Sequence, residues 1–182
     1  MDIKAFKMDG LGNDFVIVDR RKSEINLTKE QIIKIGDRNN VGFDQIIFIE
    51  KKVKDVLPIK IYNPDGIEVG ACGNGSRCIA YLISKENNQK TIKLEAQNKI
   101  LEAEILSEKL VRINMGLPEF ENNKFIPIKE GLDPRKVSID FIQKEYGNGI
   151  CVNVGNPHIV FFVKDCEKID IQKIGPKIEN HH

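Results

Sequence analysis

The chain has 182 residues, 41% of them hydrophobic and 30% charged, with a formal net charge of +1. That is an ordinary globular composition, with room for one large domain or two small ones. So balanced a charge gives no electrostatic reason to expect nucleic acid or an anionic membrane as a partner. The longest apolar runs, such as residues 159–163, are too short to span a bilayer, and Asp2, Lys4, Lys7 and Asp9 interrupt any signal-peptide core. The expected location is the cytoplasm.

Taken in chain order, residues 3–8 and 15–19 read as strands joined by a glycine-rich turn, Asp9-Gly10-Leu11-Gly12-Asn13. Thr28 offers a helix N-cap, with Gln31 three residues on to complete a capping box. The helix it opens carries Ile32, Ile33 and Ile35 and stops near Gly36. β-Branched residues mark strands over 45–50 and 57–62, and Asn63-Pro64-Asp65-Gly66 is a strong turn. A second helix is expected over roughly 74–84, followed by alternating segments at 91–95, 100–106 and 110–115. Gly116-Leu117-Pro118 reads as a boundary. The expected organisation is a first α/β domain over 1–116 and a second region over 117–182.

The second region echoes the first. Gly12-Asn13-Asp14-Phe15-Val16-Ile17-Val18 returns as Gly155-Asn156-Pro157-His158-Ile159-Val160-Phe161, and Lys34-Ile35-Gly36 returns as Lys173-Ile174-Gly175. A Gly-Asn pair before a strand is a common turn device. Two matched signals in the same order favour a diverged duplication with an incomplete second copy. On that register a counterpart of Cys72 falls at about 211–215, past the last residue.

Four cysteines stand at positions 72, 78, 151 and 166, none in a C-x-x-C pair, and two of the three histidines are the last two residues. Neither a zinc site nor a disulfide framework is expected. Gly10 and Gly12 lack the third glycine of a dinucleotide fingerprint, and no P-loop sequence is present. The expectation is a protein with no cofactor and no metal. Cys78 is expected to face the core, and no role is assigned to Cys151 or to Cys166, which is placed in a charged loop.

Cys72 differs from the others in its surroundings. Ala71-Cys72-Gly73-Asn74-Gly75-Ser76-Arg77-Cys78 places it just before a helix N-terminus, where unpaired backbone N–H groups and the macrodipole favour negative charge. Two expectations follow: a thiolate with its pKa lowered toward neutrality, and a carboxylate docked on the N–H groups of Gly73, Asn74 and Gly75. Asn13, Gln45, Asn63, Asn74 and Asn156 are neutral amides at strand ends or turns, able to orient an ammonium and a carboxylate together. Each Asn, taken singly, equally fits a turn residue. His158 suits either a thiolate partner or a structural histidine entering a strand.

These residues carry a resemblance. Lys7-Met8-Asp9-Gly10-Leu11-Gly12-Asn13-Asp14-Phe15, Gly42-Phe43-Asp44-Gln45, Tyr62-Asn63-Pro64-Asp65-Gly66, Cys72-Gly73-Asn74-Gly75 and Gly155-Asn156-Pro157-His158 occur in the order and spacing of the diaminopimelate epimerase family, which the chain resembles. The resemblance implies two similar α/β domains, each a strongly curved sheet around a central helix. It implies an isomerase without pyridoxal phosphate, in which one cysteine removes an α-proton and a second returns one on the opposite face. By the resemblance Cys72 is the first of these cysteines. Asn13, Gln45, Asn63, Gly73, Asn74 and Asn156 contact the amino-acid substrate, and His158 tunes the cysteines. It further implies interconversion of LL- and meso-diaminopimelate, for lysine and cell-wall synthesis, by a homodimer. The family's second Cys-Gly motif has no match here, so the chain alone is expected to be inactive. The competing readings are a related racemase of another amino acid, a non-catalytic binding module and, more distantly, a thiol-redox protein.

Overall fold

The computed structural model describes residues 3–97, 99–120, 128 and 131–181. Its first hairpin is tighter than the sequence suggested. Strands β1 (Ala5–Gly10) and β2 (Asn13–Asp19) pair antiparallel with Gly10 opposite Asn13, leaving only Leu11 and Gly12 in the loop. Both loop residues have positive φ, 55° and 86°, the two-residue turn whose twist matches that of the strands. The expected five-residue turn is thereby corrected: Asp9, Gly10 and Asn13 belong to the ladder. Helix α1 (Lys29–Gly36) forms as expected, with its capping box closed. Thr28 Oγ1 accepts from the Gln31 N–H at 3.3 Å, and Gln31 Oε1 accepts from the Thr28 N–H at 2.8 Å.

Strands β3 (Gln45–Ile49), β4 (Leu57–Tyr62) and β5 (Glu68–Val69) follow, then helix α2 (Gly73–Asn87) and strands β6 (Thr91–Ala96), β7 (Lys99–Ser107) and β8 (Leu110–Asn114). The two-residue β5 is too short to show alternation, so periodicity could not reveal it. The sheet order is β1-β2-β3-β4-β6-β7-β8, with β5 paired to β4. The β2/β3 and β4/β6 pairs are parallel and the rest antiparallel.

The edge strands β1 and β8 both pack against α2. Seven strands in a flat sheet would put those edges about 29 Å apart at about 4.8 Å per strand, against a helix diameter of about 10–12 Å. The sheet therefore curls around α2. Ile79 and Ala80 are fully buried within it, against Phe15, Ile17, Ile47, Leu94 and Leu101. On the opposite face a second core places Val16, Val18, Ile46 and Phe48 with Ile32 of α1 and Phe43. Covered on both faces, β2 and β3 read as continuous apolar runs, whereas β4 alternates with Leu57, Ile59 and Ile61 buried. The mixed α/β architecture with a curved sheet and central helix is the expected one.

The chain divides into two compact units, Met1–Gly116 and Leu117–His182. The second contains helix α3 (Gln143–Tyr146), strands β9 (Ile150–Asn153) and β10 (Pro157–Val160), and helix α4 (Ile171–Glu179). β9 and β10 form an antiparallel hairpin with Asn153 opposite Pro157. Asp170 caps α4, its Oδ1 accepting from the Lys173 N–H at 3.2 Å. A hairpin followed by a capped helix thus occurs in each unit. Lys34-Ile35-Gly36 closes α1, while Lys173-Ile174-Gly175 lies inside α4. Cys166 sits in a single 3-10 turn rather than an irregular loop. Among the described residues no helix is long and apolar enough to cross a membrane.

Candidate active site

Strand direction gathers the first group of residues. Because β2 and β3 run parallel, their first residues lie at the same end of the sheet, with Gln45 opposite Phe15. β4 runs back toward that end and finishes with Tyr62 opposite Ile46, so Asn63 follows immediately beside Gln45. Gln45 Nε2 donates to Asn63 Oδ1 at 3.3 Å. The start of α2 meets the same end, where Asn74 Nδ2 donates to Asn13 Oδ1 at 2.6 Å.

Cys72 is the N-cap residue of α2. Its Sγ accepts from the Gly75 N–H at 3.3 Å, which satisfies one of the open donors of the first turn. Gly75 is required by space: a Cβ there would stand 2.4 Å from Ile47 Cδ1, 3.4 Å from the Phe15 ring and 3.5 Å from Cys72 Sγ. The helix start is thus pressed onto the strands. At Gly73 an added Cβ would meet Met115 Sδ at 3.4 Å, so the residue after β8 closes over the same turn.

That closure corrects one expectation. Burial pushes the Cys72 thiol up, outweighing the lowering by the Gly75 and Asn74 N–H groups and by the charge of Arg77. The expected low-pKa thiolate is not found; Cys72 stands as the neutral thiol. The helix N-terminus acts with the anticipated sign, and desolvation exceeds it.

The sequence reading missed a set of charged residues behind the amides. Asn13 Nδ2 donates to Asp44 Oδ2 at 3.1 Å, and the Asp14 N–H donates to the same carboxylate at 3.0 Å. Arg38 bridges both acids, reaching Asp14 at 2.7 and 2.8 Å and Asp44 at 2.7 Å. Lys7 adds a 2.6 Å contact to Asp14 and donates to the Gly42 carbonyl. The Arg38 hydrogen bonds, with Lys7, hold the Asp14 carboxyl far below the usual range against the opposing effect of burial. On the helix side Arg77 donates to Asn74 Oδ1. The only sequence signal was adjacency: Asp14 follows Asn13, and Asp44 precedes Gln45.

Cys78 faces the core, as expected, and its Sγ lies 3.5 Å from the Asp9 carbonyl oxygen. Burial raises its thiol from an ordinary 9.0 to about 11, despite the opposing charge of Arg77. The unfolded chain would then lose this proton near pH 9 and the folded chain only near pH 11. The resulting stabilisation is complete below about pH 9 and lost as pH rises through about 11, for a total of about 3 kcal/mol. Urea unfolding at about pH 7 and pH 10.5 is expected to show about 2 kcal/mol more alkaline loss in wild type than in Cys78→Ala. Parallel losses in the two proteins would deny Cys78 that role.

Asn156 and His158 belong to the second unit, at the turn and start of β10. His158 is exposed, with Nε2 at 3.0 Å from Asn156 Oδ1. Cys151 is buried in β9 and Cys166 is exposed. Six of the eight expected site residues therefore lie in the first unit: Asn13 and Asn74, Gln45 and Asn63, and Cys72 with Gly73.

The chain is similar to known proteins. The family model described as diaminopimelate epimerase matches residues 5–121. A diaminopimelate epimerase of Pelagibacter ubique is 50% identical over 100% of this chain and 67% of its own length. One from Phenylobacterium zucineum is 38% identical over 96% of this chain and 64% of its own length. The chain thus spans about two-thirds of the relatives it matches. The solved structure of a predicted epimerase from Pseudomonas aeruginosa superposes with a TM-score of 0.63 at 13% identity, over 98% of this chain and 67% of that one. At that identity the likeness concerns the fold alone.

Proposed function

The chain belongs to the diaminopimelate epimerase family, and on that premise we propose that Cys72 is one of two acid/base thiols that interconvert LL- and meso-diaminopimelate. The observation that carries this reading is a sulfur that caps a helix N-terminus, with the Asn13–Asn74 amide pair joined at the same helix start. A carboxylate on the N–H groups of that turn places an adjacent α-carbon near the sulfur. In one direction a thiolate on the far face takes the α-proton and becomes a thiol. The electron pair moves onto the carboxylate, where oriented donors stabilise the added charge. The neutral Cys72 thiol then protonates the α-carbon on its own face and becomes the thiolate. The reverse reaction starts from Cys72 as thiolate. Protons and charge balance in both directions.

Asn13, Gln45, Asn63, Gly73 and Asn74 hold the amino acid in this proposal. Asn156 joins them and His158 tunes the thiols, on the strength of the Gly155-Asn156-Pro157-His158 motif. We read the second unit as the opening of a repeated copy, because it repeats the hairpin and capped helix, and we assign the second thiol to that copy beyond these residues. A cytoplasmic location suits four unpaired cysteines, and a homodimer completes the proposal.

The test incubates the protein that carries this chain with LL-diaminopimelate and separates the stereoisomers. Formation of the meso isomer is expected. Turnover confined to another amino acid would replace diaminopimelate as the substrate, and no turnover of any amino acid would contradict the racemase reading.

A further inference from the structure

The amides at the site are joined in a chain with a donor at one end and an acceptor at the other. Arg77 donates to Asn74 Oδ1, Asn74 Nδ2 donates to Asn13 Oδ1 at 2.6 Å, and Asn13 Nδ2 donates to Asp44 Oδ2 at 3.1 Å. A guanidinium has only donors and an ionised carboxylate only acceptors. An amide can turn over and exchange its oxygen for its NH₂, but between these two poles both amides have one satisfactory orientation. Asp44 is itself fixed by Arg38 at 2.7 Å and by the Asp14 N–H at 3.0 Å. Gly10 keeps the hairpin close to the helix start, since a Cβ there would meet the Asn74 carbonyl oxygen and Cys78 Sγ, each at 3.2 Å.

We propose that Arg77 and Asp44 are positioning residues that lock the direction of this chain, so that Asn74 and Asn13 each hold one N–H in a fixed orientation for a ligand. Each carbonyl oxygen already accepts from its neighbour in the chain and one N–H of each amide is used, so the fixed second N–H is the stronger group left for a ligand. The pair therefore favours an acceptor, the carboxylate of an amino acid, over its ammonium. The neighbouring pair is joined by one hydrogen bond, Gln45 Nε2 donating to Asn63 Oδ1 at 3.3 Å, which leaves the Gln45 oxygen able to accept and its second N–H able to donate. Amides that look interchangeable in sequence are thus held in different ways. The amino-acid ligand in this proposal rests on the epimerase reading; the direction of the chain does not.

The experiment has a ligand-free arm and a ligand arm. In the ligand-free protein, NMR of the Asn13 and Asn74 side-chain NH₂ groups is expected to show one proton of each shifted downfield and slow to exchange with water. Arg77→Met should erase that asymmetry at Asn74, and Arg77→Lys, which keeps a donor, should retain it. Asp44→Asn should erase it at Asn13, which keeps the test open if Arg77→Met does not fold. In the ligand arm, the preference for diaminopimelate over its bis-amide, in which both carboxylates are replaced by neutral amides, should fall about 10-fold in Arg77→Met, equivalent to about 1.4 kcal/mol, and by less than about 3-fold in Arg77→Lys. Wild-type NH₂ signals with only the ordinary primary-amide separation and no slowed exchange, or an unchanged preference in Arg77→Met, would overturn the proposal. Wild type with asymmetric NH₂ signals but no affinity for diaminopimelate would uphold the locked chain and count against the epimerase reading instead.

Discussion

Replacing Cys72 with Ala is expected to lower epimerase turnover by about 10³-fold or more, because in the proposed mechanism it is one of the two groups that move the α-proton. The serine variant separates chemistry from structure. Cys72 is the N-cap of α2, with Sγ receiving the Gly75 N–H, and serine is among the best N-cap residues. Cys72→Ser should therefore fold at least as stably as wild type. It should nevertheless lose comparable activity, since a hydroxyl neither gives nor takes a proton as readily as a thiol near neutral pH. A cysteine at a position that helix stability alone would fill with serine is a sign that chemistry selects it. Wild-type turnover in either variant, measured by stereoisomer separation, would remove this sulfur from the mechanism.

The second large effect concerns the scaffold. Ile79 lies on α2, fully buried at the centre of the curled sheet. Truncation to Ala removes its contacts with strands whose positions the other core side chains hold, so the cavity cannot close fully. A loss of about 2–5 kcal/mol is expected, against about 0.5–1.5 kcal/mol for Ile79→Val. In a unit of this size each kcal/mol should lower Tm by roughly 4 °C, readable in thermal unfolding followed by circular dichroism. A loss below about 1 kcal/mol in Ile79→Ala would mean that α2 is not packed as described.

Much of this arrangement was legible because it is written locally. The Thr28–Gln31 capping box, the helix opening after Cys72 and the turn at Asn63–Gly66 each depend on a few adjacent residues, and the structure places them as expected. Asn13, Gln45 and Asn63 were legible as strand-end amides, although only strand direction explains why they lie at one end of the sheet. The failures share one cause, which is that long-range packing has no local signature. The helix-start donors beside Cys72 could be read, but the closure by Met115, 43 residues on, could not, and the direction of the thiol's pKa followed from burial. Arg38, Asp44 and Arg77 were given no role from the sequence, yet they hold the amides in a hydrogen-bonded chain that joins distant segments. The five-residue turn shrank to two because glycine-rich sequence permits a tight hairpin without specifying its register.

The most direct test of the two-thiol account is the position of deuterium early in the reaction of LL-diaminopimelate in deuterium oxide. Two monoprotic groups on opposite faces must remove the α-proton with one and deliver a solvent-equilibrated deuteron from the other. The account predicts meso product labelled at the inverted α-carbon, with unconverted substrate still protiated there. Product that retains the substrate's own α-proton, carried across by a single base, would contradict it.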